Sequence, residues 1–425
     1  MTRAAAWLVL AACASAPHRA EPVGVTAALP TEPVPAEASR PARTDDPIVR
    51  RALLRMSVLR SLSIERPVAG VLLSRSELMA KLEQHVASGY PRHAIASEEQ
   101  FAKLLGAIGR SVDYERATFA LIDEQIGGFY EPSDETLYLP SDLDSRSGAF
   151  ALVHEAVHAL QDQHFDLKKR ERYVEGASDA MLAQGCLAEG DATSAMADFM
   201  LEDEGRTAID VPDSTLSHLV DEKSSVPAYV QRSVFAPYVE GTRFVNALRR
   251  KGGWDEVNRA WTQPLTTEQV LHEDKWAAQE PALDVPAPTF SGLDAAYGFV
   301  EIDQKGELGV RLVFESWTSK DEATRAASHW GGDRSALAKD GARAALAWRI
   351  RYDEAPSPDR EAYARGAFEI LTRAALGGAA AKTFACAARA PSAMAIARKG
   401  RDLLVLVAPS ECAALERWSA AVLSN

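Results

Sequence analysis

His154-Glu155-Ala156-Val157-His158 brings together residue types that bind and use a metal ion. Residues four apart on a helix share one face, so both imidazoles point the same way. At that spacing two ring nitrogens bind one zinc ion at roughly 2.0–2.1 Å each. Glu155 lies between them, near the open side of the ion. There it can act as general base toward a water that the metal polarises. The neighbours suit a helix, because Phe150, Val153, Val157 and Leu160 form an apolar stripe.

A catalytic zinc site normally takes a third protein ligand. Glu189, in Leu187-Ala188-Glu189-Gly190-Asp191-Ala192, follows the second histidine by 189 − 158 = 31 residues. That leaves room for a turn and a return helix. Glu175 follows by 17 residues and has Asp179 four further on. His164 follows by six, but using it requires the helix to break after His158, and Gln161 stands where a glycine would be needed. A helix over 145–163, a basic surface turn over 168–172 and a return helix from Ser178 would bring His158 and Glu189 to similar levels. At ~1.5 Å per residue they would lie about 12 Å and 16 Å from the turn. Spacing therefore favours Glu189 and leaves Glu175 and His164 as alternatives. Gly190 would let the two helices approach. Asp191 or Thr193, and Gln161 or Asp162 on the first helix, are placed to brace a histidine ring.

The elements that must position these residues are legible in part. Helices are expected from Ile48 to Leu59, from Ser76 to Val86 with Ser74 or Ser76 as cap, and from Ser97 to Ile108, where Ser97-Glu98-Glu99-Gln100 offers a capping box. Phe129 to Leu139 reads as a hairpin around Ser133-Asp134-Glu135. Helices then fit 145–163, 178–200 and 238–251. Pro281, Pro286 and Pro288 suggest a linker. Beyond it, Val310–Phe314, Leu346–Ile350 and Leu403–Val407 read as strands between helices at 320–328 and 356–376, a smaller α/β or α+β domain. The Gly-Gly pairs at 252 and 331 read as turns. Trp254, Trp261 and Trp276 read as core.

The whole chain has 425 residues, 47% of them hydrophobic, enough for one large domain or two ordinary ones. A net charge of −13 argues against nucleic acid as partner, which calls for a basic footprint. No P-loop, dinucleotide fingerprint or nucleophile elbow is present. Arg3 and the short apolar run from Ala4 to Ala12 end in Leu10-Ala11-Ala12-Cys13, which resembles a bacterial lipobox. Residues 1–13 then form a signal peptide and 14–46, rich in Pro, Ala and Glu, a flexible tether. An exported chain permits disulfides, and Cys386 with Cys412 is the expected pair, which leaves Cys186 free.

Several runs together carry a resemblance. HEAVHALQDQHFDL, then EGDAT, then APYVEGTRFVNALRRKGGWDEVNRAW and TTEQVLHEDKW, with SHWGGDR further on, are similar to a family of bacterial HExxH proteins, often exported lipoproteins, of gluzincin metallopeptidase type. The resemblance runs from about Gly127 to Trp276. It implies His154, His158 and Glu189 as metal ligands and Glu155 as base, and it supplies no substrate. Tyr238 and His272 sit in the family-like runs, and either suits a donor to a developing oxyanion.

The expected protein is α+β: a mainly helical zincin-like domain over 47–285 with a hairpin edge, then a small α/β domain over 290–425. Its expected function is zinc-dependent (Zn2+) hydrolysis of a polypeptide substrate lying along the hairpin edge. It would be exported to the bacterial envelope, touching the membrane only through a lipid on Cys13. The rival expectation is a non-catalytic envelope scaffold or binding protein that retains a structural zinc. Oligomeric state is not legible.

Overall fold

The computed structural model describes residues 47–142, 145–212, 224–293, 297–356, 358–378 and 382–424. The expected lipobox Cys13, signal peptide and tether lie outside the described residues. Among those described, no helix is long and apolar enough to cross a membrane.

The chain opens with α1 (Pro47–Arg60), β1 (Ala69–Leu73) and α2 (Arg75–Gly89). Ser74 caps α2 in a reciprocal box with Glu77, as the Ser-x-x-Glu spacing predicts. α3 spans Arg92–Leu105, so Ser97 lies inside the helix and not at its start. Ala94 and Ile95 extend the buried face upstream, and Pro91 stops it there. α4 (Tyr114–Gln125) precedes the hairpin of β2 (Phe129–Glu131) and β3 (Thr136–Pro140). β1 pairs parallel with β3, giving a small sheet of order β1-β3-β2 in which β2 is an edge. β1 lacks the alternation that marks a strand in sequence.

α5 (Ser145–Phe165) carries the HExxH run; the short α6 (Leu167–Arg170) and then α7 (Ser178–Leu201) follow. α8 covers Ala228–Trp261, far longer than the expected 238–251, and bends at Gly252 and Gly253, where the backbone leaves helical geometry. Gly253 has φ +65°, a conformation that favours glycine. α7 and α8 pack backbone to backbone: a β-carbon on Gly190 would lie 2.2 Å from the Gly241 carbonyl, and one on Gly241 would lie 2.0 Å from the Cys186 oxygen. Gly190 therefore serves the α7–α8 crossing, not the approach of α7 to α5. α9 (Thr267–Leu271) and α10 (Glu273–Ala278) close this part.

After the proline-rich stretch come β4 (Gly298–Asp303), α11 (Gly306–Phe314), α12 (Lys320–Ala327), β5 (Trp330–Asp340), β6 (Arg343–Tyr352), α13 (Ala362–Leu376), β7 (Phe384–Arg389), β8 (Ser392–Lys399), β9 (Asp402–Ala408) and α14 (Cys412–Leu423). Val310–Phe314, read as a strand, is helical. Every residue of α11 is buried, so its apolar run has no polar face to reveal its period. The Gly331-Gly332 pair lies in β5 beside a register shift and is not a turn. The sheet has order β4-β5-β6-β9-β8-β7 and is antiparallel throughout, which makes this part α+β and corrects the α/β expectation. Cys386 and Cys412 form a disulfide that ties β7 to α14, as expected; Cys186 is free and buried.

The proline stretch does not separate two cores. One buried cluster runs from Leu78 and Phe101 through Trp261 and Trp276 to Trp348 and Val407. Polar ties cross the same seam. Lys305 donates to Glu98 at 2.8 Å, the Ser178 hydroxyl to Asp303 at 2.6 Å and the Trp317 indole to the Leu105 carbonyl at 2.9 Å.

Candidate metal centre

The site is built where α5 crosses α7. His154 and His158, one turn apart on α5, bring their Nε2 atoms within 3.0 Å of each other. Glu189 on α7 places Oε2 3.2 Å from His154 Nε2 and 3.6 Å from His158 Nε2. A tetrahedral ion with bonds of roughly 2.0–2.1 Å needs ligand atoms about 3.3 Å apart. The three observed separations bracket that figure. All three side chains are buried, at 1%, 2% and 0% exposure. They are the group of metal-ligating side chains found together among the described residues.

The neighbours fix these rings and also leave atoms unused. Gln161 accepts at 2.9 Å from the Nδ1 side of His158 and donates to the Ala188 carbonyl at 3.0 Å. With Nδ1 assigned as the protonated nitrogen, the Nε2 lone pair of His158 faces the group. The Gln161 amide also ties α5 to the residue before Glu189. His154 Nδ1 and Glu189 Oε1 are buried and have no hydrogen-bond partner among the described residues. A buried polar atom left unpaired costs about 1–3 kcal/mol, so a group this dry calls for a compensating charge. Two imidazoles and a carboxylate are a donor set for zinc or another borderline divalent cation. The residues present therefore fit a metal ion by spacing, donor type and burial, and the fit is not specific to zinc.

Burial opposes charge on His158 and Glu189, yet the pair polarises. It pulls the His158 imidazole down, but the adjacent Glu189 carboxylate outweighs it and pushes the ring up to about 9. Burial likewise raises the Glu189 carboxyl, and the two histidines bring it below its ordinary range. Burial pushes the Glu155 carboxyl up.

Glu155 does not join the three ligating atoms. Its Oε2 accepts from the Tyr130 backbone N–H of edge strand β2 at 2.8 Å. Gly128, at φ +150°, lets the preceding loop pass close by; a β-carbon there would lie 2.8 Å from the Tyr138 carbonyl and 3.7 Å from Glu155 Cγ. The Gly127-Gly128 pair was the available sequence signal for this contact, but nothing in the sequence pointed to the Tyr130 N–H. Tyr130 also gives its hydroxyl to Asp162 at 3.1 Å, so Asp162 braces the hairpin and not a histidine.

Tyr238 is buried, with its ring centroid 6.1 Å from that of His154, beside the group. His272 is elsewhere, its Nε2 2.9 Å from Glu307 at the seam with the C-terminal part. His164 turns to the Ser63 carbonyl at 2.8 Å, because α5 continues unbroken past it to Phe165. Glu175 is exposed before α7 begins. Asp191 is held by buried Arg60, at 2.5 and 2.9 Å, and by the Trp261 indole, so it anchors α1 and α8 to α7. The buried Thr193 hydroxyl has no partner among the described residues, and it too leaves the histidines unbraced.

Residues 297–417 match a family described as a domain of unknown function (DUF8575). That match covers the antiparallel sheet and stops short of the His154–Glu189 group. No curated protein and no solved structure matches the chain.

Proposed function

We propose that this chain is a zinc-dependent, gluzincin-like metallopeptidase, exported and lipid-anchored at Cys13. The convergence of His154 Nε2, His158 Nε2 and Glu189 Oε2 at 3.0–3.6 Å is the observation that carries this reading. His154, His158 and Glu189 would hold the ion. When bound, zinc supplies a Lewis acid that polarises a peptide carbonyl and acidifies a water. Glu155 takes the proton from the attacking water and passes it to the leaving amine. The Tyr130 N–H orients the Glu155 carboxylate for that exchange. Tyr238, beside His154, is the remaining candidate to steady charge on the carbonyl oxygen.

One observation favours a second reading. His154, Glu155, His158 and Glu189 are each at most 2% exposed, which suits a structural metal inside a non-catalytic envelope scaffold. Digestion of an unbiased peptide library by wild type and by Glu155→Gln separates the two. The peptidase reading expects cleavage products from wild type and a loss of at least ~100-fold in the variant at equal metal content. Equal metal with no cleavage by either protein assigns the site to structure.

A further inference from the structure

A cleft of about 470 Å³ opens beside the hairpin, bounded by His85, Tyr90, Glu131, Lys168, Glu171 and Tyr173. Its position ties it to the metal centre. Glu131 ends the same three-residue strand whose Tyr130 N–H holds Glu155.

The polar groups of the cleft are unequally satisfied. Glu131 is buried and saturated: Oε2 is 2.6 Å from His85 Nδ1, and Oε1 accepts from the Ser133 N–H at 3.0 Å. Lys168 and Arg172 lie exposed at the rim. Glu171, at the end of α6, is partly buried and its carboxylate makes no hydrogen bond or ion pair with the described residues. Burial pushes its carboxyl up to about 8, more than the neighbouring histidine charges offset. Tyr90 and Tyr173 meet edge to face at 5.0 Å and form an aromatic wall, a surface that also favours a cation.

We propose that this cleft is the substrate subsite of the metal centre and that Glu171 receives a cationic group of a peptide. This rests on the peptidase reading above. A free α-ammonium and a Lys or Arg side chain share the required chemistry. An incoming cation favours the ionised form of Glu171, and the charge-assisted bond it then makes supports a preference of roughly tenfold.

Binding tests this apart from turnover. Zinc-loaded Glu155→Gln protein is titrated by fluorescence anisotropy with four labelled forms of one peptide. One has a free N-terminus and a lysine, one is N-acetylated, one has norleucine for lysine, and one carries both changes. The cationic form should bind about tenfold tighter than the doubly neutral one. The form whose single change removes that advantage identifies the source. Adding Glu171→Gln should abolish the discrimination while neutral-peptide affinity and zinc stoichiometry stay unchanged and the thermal midpoint does not fall. Discrimination that persists without Glu171 overturns the proposal, as does binding that ignores charge or no binding at all. Library cleavage by wild type alongside any of these results would leave the peptidase reading standing and remove only the subsite.

Discussion

At the scale of single residues, each part of the metal group has its own signature. His158→Ala and Glu189→Ala each remove a proposed ligand atom and should abolish stoichiometric metal binding, whereas Glu155→Gln should retain it. Gln161 is the sharper case, since it touches no metal yet fixes His158 Nδ1 and the Ala188 carbonyl. Gln161→Met should weaken metal affinity by about 10–100-fold, read by chelator competition. Affinity equal to wild type would contradict the orienting role. His154 and His158 were legible in sequence because the helix repeat alone places them together. Glu189 was legible by matching levels along two helices and through the resemblance carried by EGDAT. The Tyr130 N–H was not, because a backbone donor leaves no residue-type signal, and the role of Gln161 was legible only as a spacing from His158.

At the scale of elements, the α7–α8 crossing positions Glu189. A methyl group at Gly190 or Gly241 would sit within 2.2 Å of backbone across the interface, where no side chain can yield. Gly190→Ala should destabilise the fold by about 1–3 kcal/mol and weaken metal binding through the neighbouring Glu189. Thermal unfolding and chelator competition measure both; a variant as stable as wild type would refute the close crossing. The start of α7 carries a pH dependence. Asp179 accepts from the Thr267 N–H and hydroxyl at 2.8 and 2.6 Å, with the carboxylates of Asp303 and Asp333 nearby. Burial pushes its carboxyl to about 7 from an ordinary 3.8. Between those values the folded chain holds a proton that the unfolded chain has lost, so this contribution to stability falls as pH rises through the window. Asp179→Asn keeps the acceptor and should lose less stability than wild type between pH 5 and 8 in urea titrations. Parallel slopes for the two proteins would contradict it. The elements misread in the sequence share a cause. α11 has no polar face, β1 (Ala69-Gly-Val-Leu-Leu73) has no alternation, and the Ser97 capping signal is overridden by burial of the whole α3 face.

At the scale of the whole molecule, the proline stretch near 281–288 looked like a domain boundary because it breaks helical periodicity, but periodicity carries no information about which surfaces meet. The continuous cluster from Leu78 to Val407 and the Lys305–Glu98 pair make the two parts one packing unit. Unfolding should therefore follow one transition by tryptophan fluorescence and circular dichroism, and two separated transitions would contradict the shared core. The Cys386–Cys412 bond closes a loop of 26 residues at the far edge of the sheet. Replacing both cysteines by serine should cost ~3 kcal/mol by restoring freedom to the unfolded chain, without changing metal content.

Metal content measured by mass spectrometry on the purified protein bears most directly on the central claim. Wild type and Glu155→Gln should each carry close to one zinc per chain after gel filtration, and His158→Ala and Glu189→Ala, confirmed folded by circular dichroism, should carry almost none. Wild type without a stoichiometric divalent metal after zinc reconstitution, or an unchanged content in folded Glu189→Ala, would contradict a metal centre built from His154, His158 and Glu189.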